Sequence, residues 1–301
     1  MGASASGVTV VLATRDRPSL LHGAVASIIE SLRSFDELIV VDSASRDPAT
    51  SQIGRDAGAR VIRLEVPGTS RARNAGWRAA RAPIVAFTDD DCEVPSDWTV
   101  RIEAGFADVG VGFVTGRVLG DREASIASAA VVDETPKRFE GTSDPAGLGS
   151  GANMAFRRDA LEAIMGFDEG MGPGTPLRAA EDQDAFWRTL RAARVGLYDP
   201  TIVVTHRLWR TRRGAVAREY AYGVGAGALA VKLIRNEDPG AWRLFRRRLW
   251  GDGIAQAARH LVRGYESGAA GATVKAFGVV VGSIRASRLR LESGVFARPQ
   301  H

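Results

Sequence analysis

Ile84–Glu93 reads IVAFTDDDCE: an apolar run of strand character, a threonine, then three consecutive aspartates. Carboxylates this close repel one another, and their pKa values rise unless a cation or a set of donors neutralises them. Something positive therefore belongs at this address. Asp89 and Asp91, two residues apart, offer the hard oxygen ligands that Mg2+ or Mn2+ takes together with phosphate oxygens and water. Taken alone, the triplet reads more readily as a solvated turn ahead of Pro95-Ser96. Its position in the chain weighs between the two.

Working outward, the pattern recurs. Val8–Ala13 is a continuous apolar run, followed by polar Thr14-Arg15-Asp16-Arg17-Pro18 and then by Leu20, Leu21, Val25, Ile28 and Leu32 at helical spacing. Leu38–Val41 with Asp42, then Val61–Leu64, then a helix around Ser70–Arg81 lead back to Ile84–Phe87. Short β-branched runs, apolar throughout and alternating with helices, predict an α/β fold with a mostly parallel central sheet flanked by helices. Ligands of such sheets bind beyond the carboxyl ends of the strands. Thr14-Arg15, Asp42-Ser43 and Asp89-Asp90-Asp91 are thus expected to face one crevice.

Beyond residue 110 the pattern loosens. Val111–Val118 reads as a strand and Arg157–Met165 as a helix, while Gly166–Pro176 holds four glycines and two prolines and reads as an irregular, mobile loop. A helix from about Glu181 carries Phe186, Leu190 and Ala193 on one stripe, with Gly196 as its expected left-handed cap. A last strand, Thr201–Thr205, delivers His206. Helices follow, with Tyr220, Val224, Leu229 and Leu233, then Trp242, Phe245 and Leu249, at helical spacing.

These segments together resemble the family-2 glycosyltransferases, which share the GT-A nucleotide-sugar fold. The resemblance covers roughly residues 8–210. It rests on VTVVLATRDRPSLL (8–21), ELIVVDS (37–43), ARNAGWRAA (72–80), IVAFTDDDCE (84–93), and Gly151–Glu169 with Glu181-Asp182 as the acceptor-side segment. The implied organisation is a nucleotide-sugar-binding half over residues 1–120, an acceptor-binding and catalytic half over 121–210, and a basic helical extension over 211–301.

The resemblance also implies roles. Asp42 would hydrogen-bond the base, with Ser43 beside it. Thr14 and Arg15 would line the base and ribose pocket, Arg15 standing where a tyrosine is common. Arg73 would approach the nucleotide from the neighbouring helix. Asp89 and Asp91 would frame Mn2+ or Mg2+ and the diphosphate, with Asp90 near the ribose or donor sugar. Asp182, with Glu181, matches the family's general base, which implies inversion at the anomeric carbon. His206 reads equally as a third metal ligand or a hydrogen-bonded structural residue. Trp187 and Trp209 are candidates for stacking on a sugar, and Asn74, Asp168 and Glu169 fall near the crevice. The implied reaction moves a sugar from a UDP-, dTDP- or GDP-sugar to an acceptor hydroxyl on a glycan, lipid or natural product.

Composition sets the remaining bounds. The 301 residues, 45% of them hydrophobic, suffice for a sizeable core. One cysteine, Cys92, excludes an internal disulfide and a cysteine-built zinc site, and cytoplasm is the default compartment. Arginines number 37 against three lysines, Lys137, Lys232 and Lys275. Charge is uneven: residues 207–301 carry a net +12 and residues 1–206 a net −7. Arg210-Arg212-Arg213 and Arg243-Arg246-Arg247-Arg248 interleave with Trp209, Trp242, Phe245 and Trp250, a composition suited to an anionic membrane surface at the inner face, and also to an anionic acceptor or a second subunit. No nucleic-acid partner is expected. The longest apolar runs, Ala221–Val231 and Ala276–Ile284, fall short of the roughly 20 residues of a membrane span. The N-terminus lacks the layout of a secretory signal, and the match of Met1-Gly2 and Ser6 to a myristoylation pattern reads as accidental.

Two other enzyme classes fit less well. A sugar-phosphate nucleotidylyltransferase needs glycines in the first loop, which Ala13-Thr14-Arg15-Asp16 lacks. A haloacid-dehalogenase-like phosphatase needs its Asp-x-Asp after the first strand rather than the fourth. A non-catalytic nucleotide-sugar-binding protein would have lost the carboxylates that are present here.

Overall fold

The computed structural model describes residues 7–120, 131–141, 144–207, 212–262 and 266–297. Met1, Gly2, Ser6, Trp209 and Arg210, singled out above, lie outside them, as do the side chains of Arg212 and Arg213. The chain forms two compact units: Met1–Phe167 with Ala185–Leu208, and Asp168–Asp184 with Trp209–His301.

The first unit contains β1 (Val8–Thr14), α1 (Pro18–Ser31), β2 (Glu37–Ser43), α2 (Ala49–Asp56), β3 (Arg60–Leu64), α3 (Thr69–Ala79), β4 (Ile84–Asp89), β5 (Cys92–Glu93), α4 (Trp98–Ala104), β6 (Val111–Gly120), β7 (Lys137–Phe139), β8 (Asn153–Arg157) and α5 (Arg158–Ala163). α6 (Glu181–Arg191) enters it from the second unit and is followed by β9 (Val195–His206). The sheet runs β3-β2-β1-β4-β8-β6-β9-β5, with β7 also on β9. The longest ladders, β1 with β2 and β4 and β6 with β9, are parallel, as is β2 with β3. β8 inserts antiparallel between β4 and β6, and the short β5 and β7 run antiparallel to β9. The sheet is therefore mostly parallel but mixed.

Alternation along the strands explains why they are apolar throughout. Val10, Leu12, Val40 and Ala86 pack on one side with Leu21, Val25 and Ile28 of α1 and with Trp98 and Ile102 of α4. Val11, Ile39, Val41, Val85 and Phe87 pack on the other side with α3 and α6. There Phe87, Phe113, Phe156, Phe167 and Phe186 form a cluster with ring centroids 4.8 to 6.3 Å apart. α3 lies so close to β1 that a Cβ on Gly76 would stand 2.2 Å from Val11 Cγ1. Gly76→Ala is expected to destabilise the protein by about 1–3 kcal/mol through overpacking. Adding Val11→Ala should recover part of that loss; urea denaturation of the single and double variants checks both.

Two boundaries differ from expectation. Gly196 does not cap α6: the left-handed residue is Ala193 (φ 58), and Gly196 lies within β9 opposite Phe113. β9 is also longer than Thr201–Thr205, because Pro200 sits in an irregularity of the ladder where Gly116 pairs Asp199 but Arg117 pairs Val203. A Pro breaks a ladder pattern without ending the strand.

The second unit holds the segment from Asp168 to the start of α6, then α7 (Arg212–Arg235), α8 (Ala241–Arg246), a π-helical stretch (Arg247–Ala255), α9 (Gln256–Val262), α10 (Glu266–Ser287) and a hairpin of β10 (Leu291–Glu292) with β11 (Val295–Phe296). Gly166–Pro176 has no regular structure, as expected. It is nevertheless pinned: Asp168 is fully buried and ion-paired to Lys232 at 2.6 Å, and Met171 is fully buried. α10 changes the reading of the apolar runs. Gly268–Ser287, with a mean hydropathy of 1.2, is long and apolar enough to cross a membrane by length and composition, although 44% of that window is buried. Counting unbroken apolar residues stops at Lys275 and the glycines; an average runs across them.

Candidate active site

The register of the parallel wing brings the expected residues to one edge. Thr14 pairs with Asp42 and Ala13 with Asp89, so β1, β2 and β4 end level.

Asp42 is fully buried and accepts hydrogen bonds from the Ser45 backbone N–H and from Arg63 Nη1, both at 2.8 Å, and from the Ser51 hydroxyl. Burial pushes its carboxyl up, but Ser51, Ser45 and the Arg63 charge outweigh burial and hold it below the usual range. Ser43 Oγ accepts the Gly68 N–H at 3.0 Å, fixing the turn into α3. Arg15 is exposed, with Nε 3.7 Å from Asp16.

The three aspartates diverge. Asp89 keeps a side-chain exposure of 38% and faces Arg73, whose Nη2 lies 3.2 Å from Oδ1 and 3.3 Å from the Gly151 carbonyl. Asp90 turns inward, accepting from Thr14 Oγ1 and Arg17 Nη1, both at 2.8 Å. Burial is the main reason its carboxyl is pushed up to about 6, with the neighbouring Asp91 charge adding to it and Arg17 opposing. Asp91 is 2% exposed, 3.7 Å from Arg17 Nη1 and 3.4 Å from His206 Nε2.

Local chain geometry explains His206. Cys92 pairs with it across β5 and β9, and the Arg207 N–H donates to the Asp91 carbonyl at 2.8 Å. Ligand atoms of Asp91, Cys92 and His206 all lie within 4.8 Å of one another. His206 Nδ1 is buried with no hydrogen-bond partner, and such orphaned groups call for an explanation. Burial, with the Asp89 and Asp91 charges, pushes the Cys92 thiol well up, leaving it protonated. An oxygen and nitrogen donor set at Asp91 and His206, beside two further carboxylates, fits a hard divalent cation.

Glu181 and Asp182 belong to the second unit, where they open α6 with Asp184 in its first turn. Acids there are favoured by the helix dipole. Glu181 is 6% exposed, and Asp182 is half-buried, its Oδ1 accepting the Gln183 N–H at 2.8 Å. Two left-handed residues, Arg178 (φ 63) and Ala180 (φ 68), set the approach to this turn. Of the looser candidates, Asn74 is structural, its side chain bonding the Phe167 carbonyl and N–H. Trp187 is 3% exposed.

Sequence reading missed three cations. Arg17 holds Asp90, Arg63 holds Asp42, and Lys232 holds Asp168 and Asp184. Arg63 was within reach, because it stands opposite Asp42 in the β2–β3 register.

Residues 9–165, more than half of the chain, match the family described as glycosyl transferase family 2, and the protein belongs to that family. Glycosyltransferase AglE of Haloferax volcanii is 33% identical over 92 residues, 29% of this chain and 30% of that protein, so the match spans less than a third of the relative. Among solved structures, the mannosyltransferase PcManGT from Pyrobaculum calidifontis, in complex with GDP-Man and Mn2+, aligns with a TM-score of 0.62 at 19% identity over 93% of this chain and 87% of that one. S. aureus TarS aligns with a TM-score of 0.57 at 18% identity over 80% of this chain and 42% of that one. The fold is GT-A, with helices in the C-terminal part of the chain.

Proposed function

We propose that this protein transfers a sugar from a nucleotide-diphosphate sugar to an acceptor hydroxyl with inversion, working from the cytoplasm at the inner face of the membrane. The observation that carries this reading is the meeting of Asp90, Asp91, Arg17 and His206 beside the level ends of β1, β2 and β4. A crevice beyond strand ends is where nucleotides bind in such sheets.

Thr14, Arg15, Asp42, Ser43 and Arg73 bind the nucleotide in residues 1–120. Asp89, Asp91 and His206 would hold Mn2+ or Mg2+, and such a cation stabilises charge gathering on a leaving diphosphate. Asp90, held by Thr14 and Arg17, orients the ribose or donor sugar. Asp182, assisted by Glu181 within the acceptor half over residues 121–210, takes the acceptor's proton. A solved mannosyltransferase with GDP-Man and Mn2+ among the similar structures supports putting GDP-mannose first on a donor panel.

Thermal unfolding of the full chain with UDP-, dTDP- and GDP-sugars, with and without Mn2+, tests the reading. One donor at about 100 times its dissociation constant should stabilise by about 2.7 kcal/mol, and only with the cation. No shift from any donor overturns it. Donor binding without released nucleoside diphosphate in the presence of acceptors would instead indicate a non-catalytic sugar-nucleotide binder.

A further inference from the structure

The second unit exposes what a soluble surface ordinarily hides. Trp242 and Trp250 are 64% and 59% exposed, and with Arg243, Arg246 and Arg247 they line a single open groove. Their spacing, with Trp242, Arg246 and Trp250 four residues apart and Arg243 and Arg247 alongside, makes one helical stripe. Ile254 continues it, and Leu244, on the other side of α8, is buried. Among the described residues neither Arg243 nor Arg246 has a carboxylate partner, whereas Arg248, off the stripe, is paired to Asp252 at 2.9 Å. The stripe runs from α8 into the π-helical stretch, a rare conformation frequent at functional sites.

The neighbouring helix adds apolar surface. A Cβ on Gly253 would stand 2.7 Å from Ala276 Cβ, so the π-helical stretch packs against α10 at that point. Val280 shares the Ala276 face one turn on, and Phe277, Val280 and Ile284 form an exposed apolar stripe there. Guanidinium groups and indoles together also suit single-stranded nucleic acid. Exposed aliphatic side chains beside them do not serve that partner; they serve a lipid surface, where indoles sit at headgroup level and arginines meet phosphates.

We propose that Trp242, Arg243, Arg246, Arg247 and Trp250 form the surface by which this protein docks on an anionic bilayer. The stripe lies in the membrane plane, its guanidinium groups on lipid phosphates and its indoles at the headgroup boundary. Docking of this kind is independent of sugar transfer, so either can fail without the other.

Flotation of the full chain with vesicles decides it. The protein should rise with phosphatidylcholine vesicles carrying about a third phosphatidylglycerol and stay down with phosphatidylcholine alone, and molar salt should release it. Replacing Arg243, Arg246 and Arg247 by Gln should weaken partitioning about a hundredfold, at roughly fivefold per arginine. Trp242→Ala with Trp250→Ala should weaken it further. These side chains are exposed, so the variants keep the fold, as circular dichroism would register. Equal partitioning onto neutral vesicles, an unchanged arginine variant, no flotation at all, or retention of polynucleotide in place of vesicles would each overturn the proposal.

Discussion

Asp182→Asn should lower kcat for sugar transfer by about 10^2–10^4, the range attributable to one positioned general base, and leave donor affinity within a factor of about two. Asn keeps the shape and can still accept the Gln183 N–H through its amide oxygen, so the first turn of α6 is preserved. What it loses is the capacity to take a proton. An interaction needed only in the transition state lowers kcat without touching ground-state binding. Donor contacts are assigned to Thr14, Asp42 and Arg73, none of which lies on α6. Steady-state release of nucleoside diphosphate gives kcat, and calorimetric titration of the donor gives affinity. Full activity in the variant would move the base elsewhere, with Glu181 the next residue to replace. Loss of donor binding would make Asp182 part of the donor site instead.

Legibility of the site followed the locality of its physics. β1, β2 and β4 could be read because each is a short apolar run ending in a polar residue, and a parallel register levels their ends. Three adjacent aspartates do need a positive neighbour. In the structure Arg17 is one, beside a candidate metal site, and it reaches Asp90 across 73 positions of sequence. No local pattern encodes that distance. His206 could be found as the residue after a strand, but its closeness to Asp91 depends on the two-residue β5 pairing with the end of β9. Pairings so short leave no periodicity. The β10–β11 hairpin escaped notice for the same reason, while α7 and α8 were visible as helical spacing and α10 only as the apolar run Ala276–Ile284. Lys232 left a fainter trace: in a chain with 37 arginines a lysine is unusual, and a slender ammonium fits where a planar guanidinium does not.

That slot makes Lys232→Met the most destabilising single change expected in the second unit. Lys232 Nζ lies 2.6 Å from Asp168 Oδ2 and 2.6 Å from Asp184 Oδ1, and all three side chains are fully buried. Asp168 also accepts the N–H groups of Gly170 and Phe296 at 2.8 Å, so one ammonium ties α7, the glycine-rich segment, the first turn of α6 and the C-terminal hairpin together. Removing it strands two carboxylates away from water, at a cost of about 3–5 kcal/mol. The exposed Lys137–Asp133 pair, with both side chains at 41%, should be worth under about 1 kcal/mol when broken. Against a total stability of about 5–15 kcal/mol the first loss is large. Lys232→Arg should also destabilise, because the larger head cannot occupy the same point between the two oxygens. Adding Asp168→Asn and Asp184→Asn to Lys232→Met removes the stranded charges and should recover much of the loss. Urea denaturation followed by tryptophan fluorescence measures each step. A single variant that loses less than about 1 kcal/mol would show that the buried cluster contributes no more than a surface pair.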